Sequence, residues 1–229
     1  MLEVKGIEAG YGDLRILFYL NFTAEAVQMM PVALPVLRHD FDGPRVAGIA
    51  QPNHARSVIN VIARAVDMAR DGTASAVCTA PVHKKALQAG AGFAYPGHTE
   101  YLAALAGTDQ VVMMLACDAL RVVPTTIHIP LAEVRNTLTA SLLTDTLLVT
   151  HAALRRDFGI AKPRIAVAGL NPHAGEGGKM GGEEIEMITP VLDALRAQGM
   201  DISGPMSADT MFHASARKAY DVAVCMYHD

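Results

Sequence analysis

Apolar positions along the 229-residue chain recur in two rhythms. Short runs of apolar and β-branched residues predict strands at 75–80 (SAVCTA), 111–116 (VVMMLA), 121–129 (RVVPTTIHI), 164–170 (RIAVAGL) and 221–227 (DVAVCMY). Such runs lack polar alternation, which indicates strands covered on both faces. Between them, Val58, Ile59, Ile62 and Val66 recur at helical spacing, with Asn53 as a cap and Gly72 as a stop. Leu142, Leu143, Leu147, Leu148 and Leu154 mark a second helix over about 139–158. A third carries Ile185, Ile188, Val191, Leu192 and Leu195 and closes at Gly199, with Pro190 kinking it or restarting it after a Thr189 cap. A shorter amphipathic helix with Tyr101, Leu102 and Leu105 follows Gly97. This alternation predicts an α/β fold with a mixed, largely parallel sheet and flanking helices. No linker rich in proline, glycine or serine divides residues 1–229, so no internal domain boundary is assignable from the sequence.

Composition narrows the functional classes. At 51% apolar residues the chain can bury a sizeable core. The net charge of -4, with lysines and arginines scattered along the chain, speaks against a nucleic-acid partner. Three widely spaced cysteines, Cys78, Cys117 and Cys225, form no C-x-x-C pair and read as buried thiols of a reducing cytoplasm. No apolar run reaches about 18 residues, and the first residues lack the basic-then-apolar order of a signal peptide, so a soluble cytoplasmic protein without a membrane span is expected.

Candidate chemistry gathers where strands end. The stretch GLNPHAGEGGKMGG (169–182) links a predicted strand to a predicted helix, where backbone amides and the helix dipole favour an anion. It is not a Walker loop, because Met180 follows Lys179, and it is not a Rossmann fingerprint, because the third glycine is displaced to Gly181. Anion contact and a flexible surface turn both fit it. Three of the nine histidines, His128, His173 and His228, each follow directly on an apolar strand. Carboxyl ends of parallel strands share one edge of a sheet, so these imidazoles can converge there as ligands of a divalent metal. Taken singly, each reads as a hydrogen-bonded strand-end histidine, and their long spacing matches no compact metal signature. His98 and Thr99 open the helix after Gly97, as caps or as ligand contacts. Asp209, in SADTMF, stands in a polar break as a turn residue, a cap or an acid.

The segments YPGHTEYLAALAG, TTIHIPLAEV, GLNPHAGEGGKMGGEEIEMITPVL, GPMSADTMF and MYHD resemble, in order, motifs of the 4-hydroxythreonine-4-phosphate dehydrogenase (PdxA) family of vitamin B6 biosynthesis, over roughly residues 45–229. The resemblance implies part of a two-domain architecture like that of isocitrate and isopropylmalate dehydrogenases. It implies a divalent metal (zinc, magnesium, manganese or cobalt) held by His128, His173 and His228, in a site shared between the subunits of a homodimer. It further implies substrate contacts from His98 and Thr99, and Asp209 near substrate and metal as a candidate base. The implied reaction is NAD- or NADP-dependent oxidation of 4-phosphohydroxy-L-threonine, a phosphorylated hydroxy amino acid, followed by decarboxylation. No residue of the nucleotide site is assigned.

Relative to that pattern, MLEVKGIEAGYGDLRILFYL lacks the family's G-D-P-x-G-I-G turn, and the expectation is that about a quarter of the family's length lies beyond MYHD, with phosphate and nucleotide contacts. Losing strands from the same sheet would expose edges and apolar surface. His83 stands where asparagine is expected, and Lys179 at a variable position. Other readings are a dehydrogenase of a phosphorylated sugar acid such as erythronate or threonate 4-phosphate, a three-histidine lyase or hydrolase, and a non-catalytic metal- or phosphate-binding remnant.

Overall fold

A computed structural model describes residues 17–20, 37, 39–44, 46–108 and 110–228. Two units partition the chain, Met1–Asp109 and Gln110–Asp229, although no linker composition announces the boundary.

In the first unit, β1 (Leu17–Leu20) pairs antiparallel with β2 (Ala74–Cys78). Helix α1 (Ala55–Arg70) follows a single tight turn at Pro52–His54. Asn53 does not cap it, because its side-chain amide donates to the Asp42 carbonyl at 2.7 Å. The expected stripe is nevertheless the buried one. Ile62 packs with Leu87 of α2 (Lys84–Ala91), with Phe93, and with Tyr101 of α3 (His98–Ala106). The Tyr101 hydroxyl donates to the Ile59 carbonyl at 3.1 Å, tying α3 to α1. His83 has a local task, since its Nδ1 accepts the Ala86 N–H and caps α2.

The second unit is built on a five-stranded sheet in the order β3-β4-β7-β5-β6, comprising β3 (Leu115–Cys117), β4 (Leu120–Pro124), β7 (Val222–Cys225), β5 (Arg164–Ala168) and β6 (Asp201–Met206). Only the β3–β4 pair is antiparallel. A short α4 (Val134–Thr137) precedes α5 (Ala140–Arg156), and α6 (Thr189–Ala197) lies between β5 and β6. Ile165, Val167, Val222 and Val224 bury their side chains with Leu143, Leu147 and Leu154 of α5 and Leu192 and Leu195 of α6. The alternate positions Ala166, Ala168 and Ala223 face Met211 and Tyr220. Both faces are therefore covered, the reason these strands read as unbroken apolar runs.

Several elements depart from the sequence reading. The run 111–116 is not a buried strand. Its first residues are irregular, and β3 is an exposed edge strand joined to β4 by a tight turn at Asp118 and Ala119. The sequence also gave no warning of β6, whose Gly204 and Pro205 mimic a turn. An edge strand tolerates a residue without an N–H donor, and β6 is such an edge. The third helix opens as a π turn at Glu184–Ile188, in which the Thr189 N–H bonds the Glu184 carbonyl five residues back. The change to α geometry at Thr189 leaves Pro190 in the first turn of α6, so Thr189 is not a cap. Thr139, in contrast, caps α5 by accepting the Leu142 N–H at 3.1 Å. Cys78 and Cys117 are exposed, not buried, because each lies in a two-stranded margin.

The base of the sheet is fastened by charge. The Asp221 carboxylate accepts the Arg164 backbone N–H at 2.8 Å and its Nη2 at 2.9 Å, while Arg164 Nη1 donates to the Lys218 carbonyl. The hydrogen bond from Arg164, partly opposed by burial, holds the Asp221 carboxyl below its ordinary value of 3.8. Stability from this pair is present above that value and is lost as pH falls through the lower folded-state value. Asp221→Asn is expected to cost about 1–2 kcal/mol at neutral pH, with the gap from wild type closing in acid urea titrations below pH 3.8. Leu147→Ala, at a fully buried position, should cost about 2–5 kcal/mol in the same unfolding measurement.

Candidate functional site

Parallel strands that pair side by side deliver their carboxyl ends to one edge, and the sheet order decides who meets whom. Reading along the edge from β4 through β7 and β5 to β6, the connections lead to His128, His228, His173 and Asp209. The β4–β7 ladder continues past the strands. The Thr125 N–H donates to the Cys225 carbonyl at 2.8 Å, and the Thr126 N–H and hydroxyl both donate to the Met226 carbonyl, at 3.2 and 2.8 Å. This zipper carries the His128 and His228 rings to a centroid separation of 5.9 Å. On the other side, the Gly169 N–H donates to the Met206 carbonyl, holding the β5 and β6 exits together. His173 Nε2 then lies 3.9 Å from Asp209 Oδ2, too far for a direct hydrogen bond and close enough for both to face one ligand.

His173, His228 and Asp209 border a cavity of about 610 Å³, and His128 lies outside its lining, beside His228. Asn171, His173, Ser207, Asp209 and His228 supply its polar lining, and Phe212, Met226 and Tyr227 are among its apolar walls. Asp209 sits in the one-turn helix α7 (Ala208–Met211), where its Oδ1 accepts the Ser207 hydroxyl at 2.6 Å. The remaining carboxylate oxygen is the one turned to His173. Cys225 also borders the cavity, and burial pushes its thiol up to about 11, which keeps it a thiol and not a thiolate nucleophile at neutral pH. Among the described residues, no three His, Cys, Asp or Glu side chains come close enough together to hold a metal ion.

The glycine stretch is not a phosphate cradle of familiar form. Residues 173–177 all have left-handed backbone, with φ from 45° to 76°. For His173, Ala174 and Glu176 this costs roughly 1–2 kcal/mol each. His128 is left-handed as well, at φ 55°. Two of the three strand-end histidines thus occupy strained backbone, a state that persists only where surrounding contacts impose it.

For the glycine stretch, the contacts are two glutamates that sequence reasoning passed over. Glu184 is 2% exposed. Its Oε1 accepts the Asn171 backbone N–H at 2.7 Å, and its Oε2 accepts Asn171 Nδ2 at 3.0 Å. The same Nδ2 donates to Glu183 Oε2 at 2.8 Å, and Glu183 Oε1 pairs with Arg135 Nε at 2.7 Å. Its own backbone N–H and the Asn171 amide, with Arg135 adding to them, hold the Glu183 carboxyl below the usual range. A Cβ on Gly175 would stand 2.6 Å from Glu184 Oε2, and one on Gly169 would stand 3.0 Å from Oε1. The glycines are there because the loop wraps a buried carboxylate. The available signal was the pair Glu183-Glu184 directly after Gly181-Gly182, which sequence alone reads as an ordinary acidic first turn of a helix.

His98 and Thr99 lie in the other unit, within the first turn of α3, and neither caps it; Gly97 occupies the cap position without a side-chain bond. His98 Nε2 is buried without a hydrogen-bond partner, and burial pushes the ring's pKa down from 6.5, so the imidazole is neutral at physiological pH. No helix among the described residues is long and apolar enough to cross a membrane.

Residues 12–229 match the family model described as pyridoxal phosphate biosynthetic protein PdxA. A 4-hydroxythreonine-4-phosphate dehydrogenase of Roseobacter denitrificans is 61% identical over 215 residues, covering 91% of this chain and 66% of the relative. One from Paracoccus denitrificans is 56% identical, covering 92% and 67%. The crystal structure of the Klebsiella pneumoniae 4-hydroxythreonine-4-phosphate dehydrogenase superposes with a TM-score of 0.75 at 42% identity, over 80% of this chain and 54% of that one. The chain therefore spans about two thirds of the length of the curated relatives it matches. With the motif order, the mostly parallel sheet and a match over nearly its whole length, the chain belongs to the PdxA family of pyridoxal phosphate biosynthesis.

Proposed function

We propose that this chain carries the metal- and substrate-binding part of a cytoplasmic 4-hydroxythreonine-4-phosphate dehydrogenase. The reaction is oxidation of the secondary alcohol of 4-phosphohydroxy-L-threonine with NAD or NADP, and loss of carbon dioxide from the resulting β-keto acid to give 3-amino-2-oxopropyl phosphate. The observation that carries this reading is the row of His128, His228, His173 and Asp209 along one carboxyl edge. Imidazole nitrogens and a carboxylate oxygen are donors that zinc accepts, and magnesium, manganese or cobalt also fits where substrate oxygens complete the shell. When bound, a divalent cation supplies Lewis acidity at the alcohol oxygen, and the nicotinamide takes the hydride.

The chain's own residues then have distinct tasks. His128, His173 and His228 hold the cation in a homodimer in which one of the three comes from the second copy. Asp209, hydrogen-bonded on one oxygen and open on the other, is placed to hold the hydroxyl proton. The apolar walls at Phe212, Met226 and Tyr227 exclude water and strengthen charge interactions at the reacting carbon. The neutral, unpartnered His98 imidazole, with Thr99 beside it, binds the substrate.

The test is NADH or NADPH formation from 4-phosphohydroxy-L-threonine by a family-length protein that carries residues 1–229, with added zinc, manganese or cobalt, alongside erythronate 4-phosphate. Faster turnover of the amino acid ester is expected. Metal-dependent consumption of the ester without reduced nicotinamide would overturn the reading in favour of a lyase or hydrolase. Under the same assay His173→Ala or His228→Ala should lower kcat/KM on the order of a thousand-fold, equivalent to about 4 kcal/mol of lost charge stabilisation. His98→Ala should instead raise KM by about tenfold with kcat little changed, as expected for a binding contact worth about 1.4 kcal/mol.

A further inference from the structure

The reading above gives Glu184 no task, yet it is the buried carboxylate around which the histidine-bearing loop is wound. Both of its oxygens are engaged by a single residue, Asn171, through the main chain on one and the side-chain amide on the other. Asn171 is the last extended residue before the left-handed turn, with φ -92° and ψ 157°. Two residues later comes His173. Fixing the Asn171 N–H and side chain together fixes the plane of the peptide from which the turn departs. The turn then has no freedom to relax toward right-handed backbone without breaking those bonds.

The loop closes over the same carboxylate from its far side. A Cβ on Gly175 would meet Glu184 Oε2, and Gly181 lies against the Asn171 amide so closely that a Cβ there would overlap Nδ2. The Met180 N–H returns to the Gly175 carbonyl at 3.1 Å. Glu184 itself is anchored on the π turn, whose wider period starts at this residue. A π turn inserted in a helix is an uncommon feature and recurs at functional sites. Here it sets the point on the helix from which the carboxylate reaches the loop.

We propose that Glu184 is a positioning residue for His173: its carboxylate, gripping Asn171 at both ends, imposes the left-handed turn that aims the imidazole into the cavity. Glu183, bonded to the same amide and to Arg135, braces the arrangement from the solvent side. The assignment rests on the reading of His173 as a ligand only in its metal arm, and its structural arm stands apart.

The experiment compares Glu184→Gln with wild type and His173→Ala in the full 229-residue chain. Glutamine keeps one acceptor oxygen but sets an NH2 group against the Asn171 amide or N–H. In metal-free protein, NMR of the His173 ring and of the 171–182 amides is expected to show selective displacement and broadening in Glu184→Gln, with signals of the sheet strands unchanged. Cobalt(II) titration should show affinity lowered by about 10- to 100-fold, with an altered visible spectrum, the size of effect expected when a ligand loses its support. Glu183→Gln should have a smaller effect of the same kind. Unchanged ring and loop signals in Glu184→Gln would overturn the proposal, as would cobalt affinity that falls only in proportion to the unfolded fraction. If His173→Ala leaves cobalt binding untouched, the ligand reading fails, and the metal-free NMR comparison still decides the role of Glu184. Should Glu184→Gln not fold, Asn171→Ala, which removes only the side-chain contacts, carries the same comparison.

Discussion

The parallel pairing of Val222–Cys225 with β4 on one side and β5 on the other is the constraint from which the site follows. Because β7 is central, its register sets where each neighbouring strand stops. Because all three run the same way, their exits share one edge. The Asp221–Arg164 bonds hold the opposite, amino end of the β7–β5 pair in step. Any slip of one residue would turn Val222 and Val224 away from the α5–α6 layer and place Ala223 there instead. The hydrophobic pattern that makes the core therefore also sets which imidazoles become neighbours.

Backbone strain and buried charge meet in the second layer of this arrangement. A left-handed run through His173, Ala174 and Glu176 is unfavourable by itself, and a carboxylate as buried as Glu184 is unfavourable by itself. Each is tolerated because the other is present. The carboxylate gains two hydrogen bonds from Asn171, and the loop gains a fixed point around which to turn. The glycines at 169, 175 and 181 are small because any larger residue would displace the carboxylate or the amide it holds. The cost in chain entropy is spent on placing one imidazole beside Asp209 with its ring open to the cavity.

The second unit carries the imidazole row and Asp209, and the first carries, in the first turn of α3, the half-buried His98, whose Nε2 has no hydrogen-bond partner. Cys225 stays a protonated thiol at the cavity wall, beside the imidazoles of His173 and His228 and the carboxylate of Asp209.

Much of this was legible from residue order. The apolar runs at 164–170 and 221–227 and the leucine stripe of 139–158 are core elements because continuous or helically spaced hydrophobicity admits few other outcomes, and they made His173 and His228 strand-end residues. The motif order also sufficed to place the chain in its family. What the sequence left open depends on neighbours distant along the chain. Strand β6 goes unread in the sequence, since Gly204 and Pro205 interrupt its pattern, and the run at 111–116 reads as core until β3 is seen to be an edge. Glu184 reads as an exposed helix-start acid until the loop closes over it. Local pattern determines which segments are regular and which face is buried, since those depend on spacing alone. Tertiary structure decides which polar groups are enclosed, because burial of a charge is set by what packs around it and not by its own position in the chain.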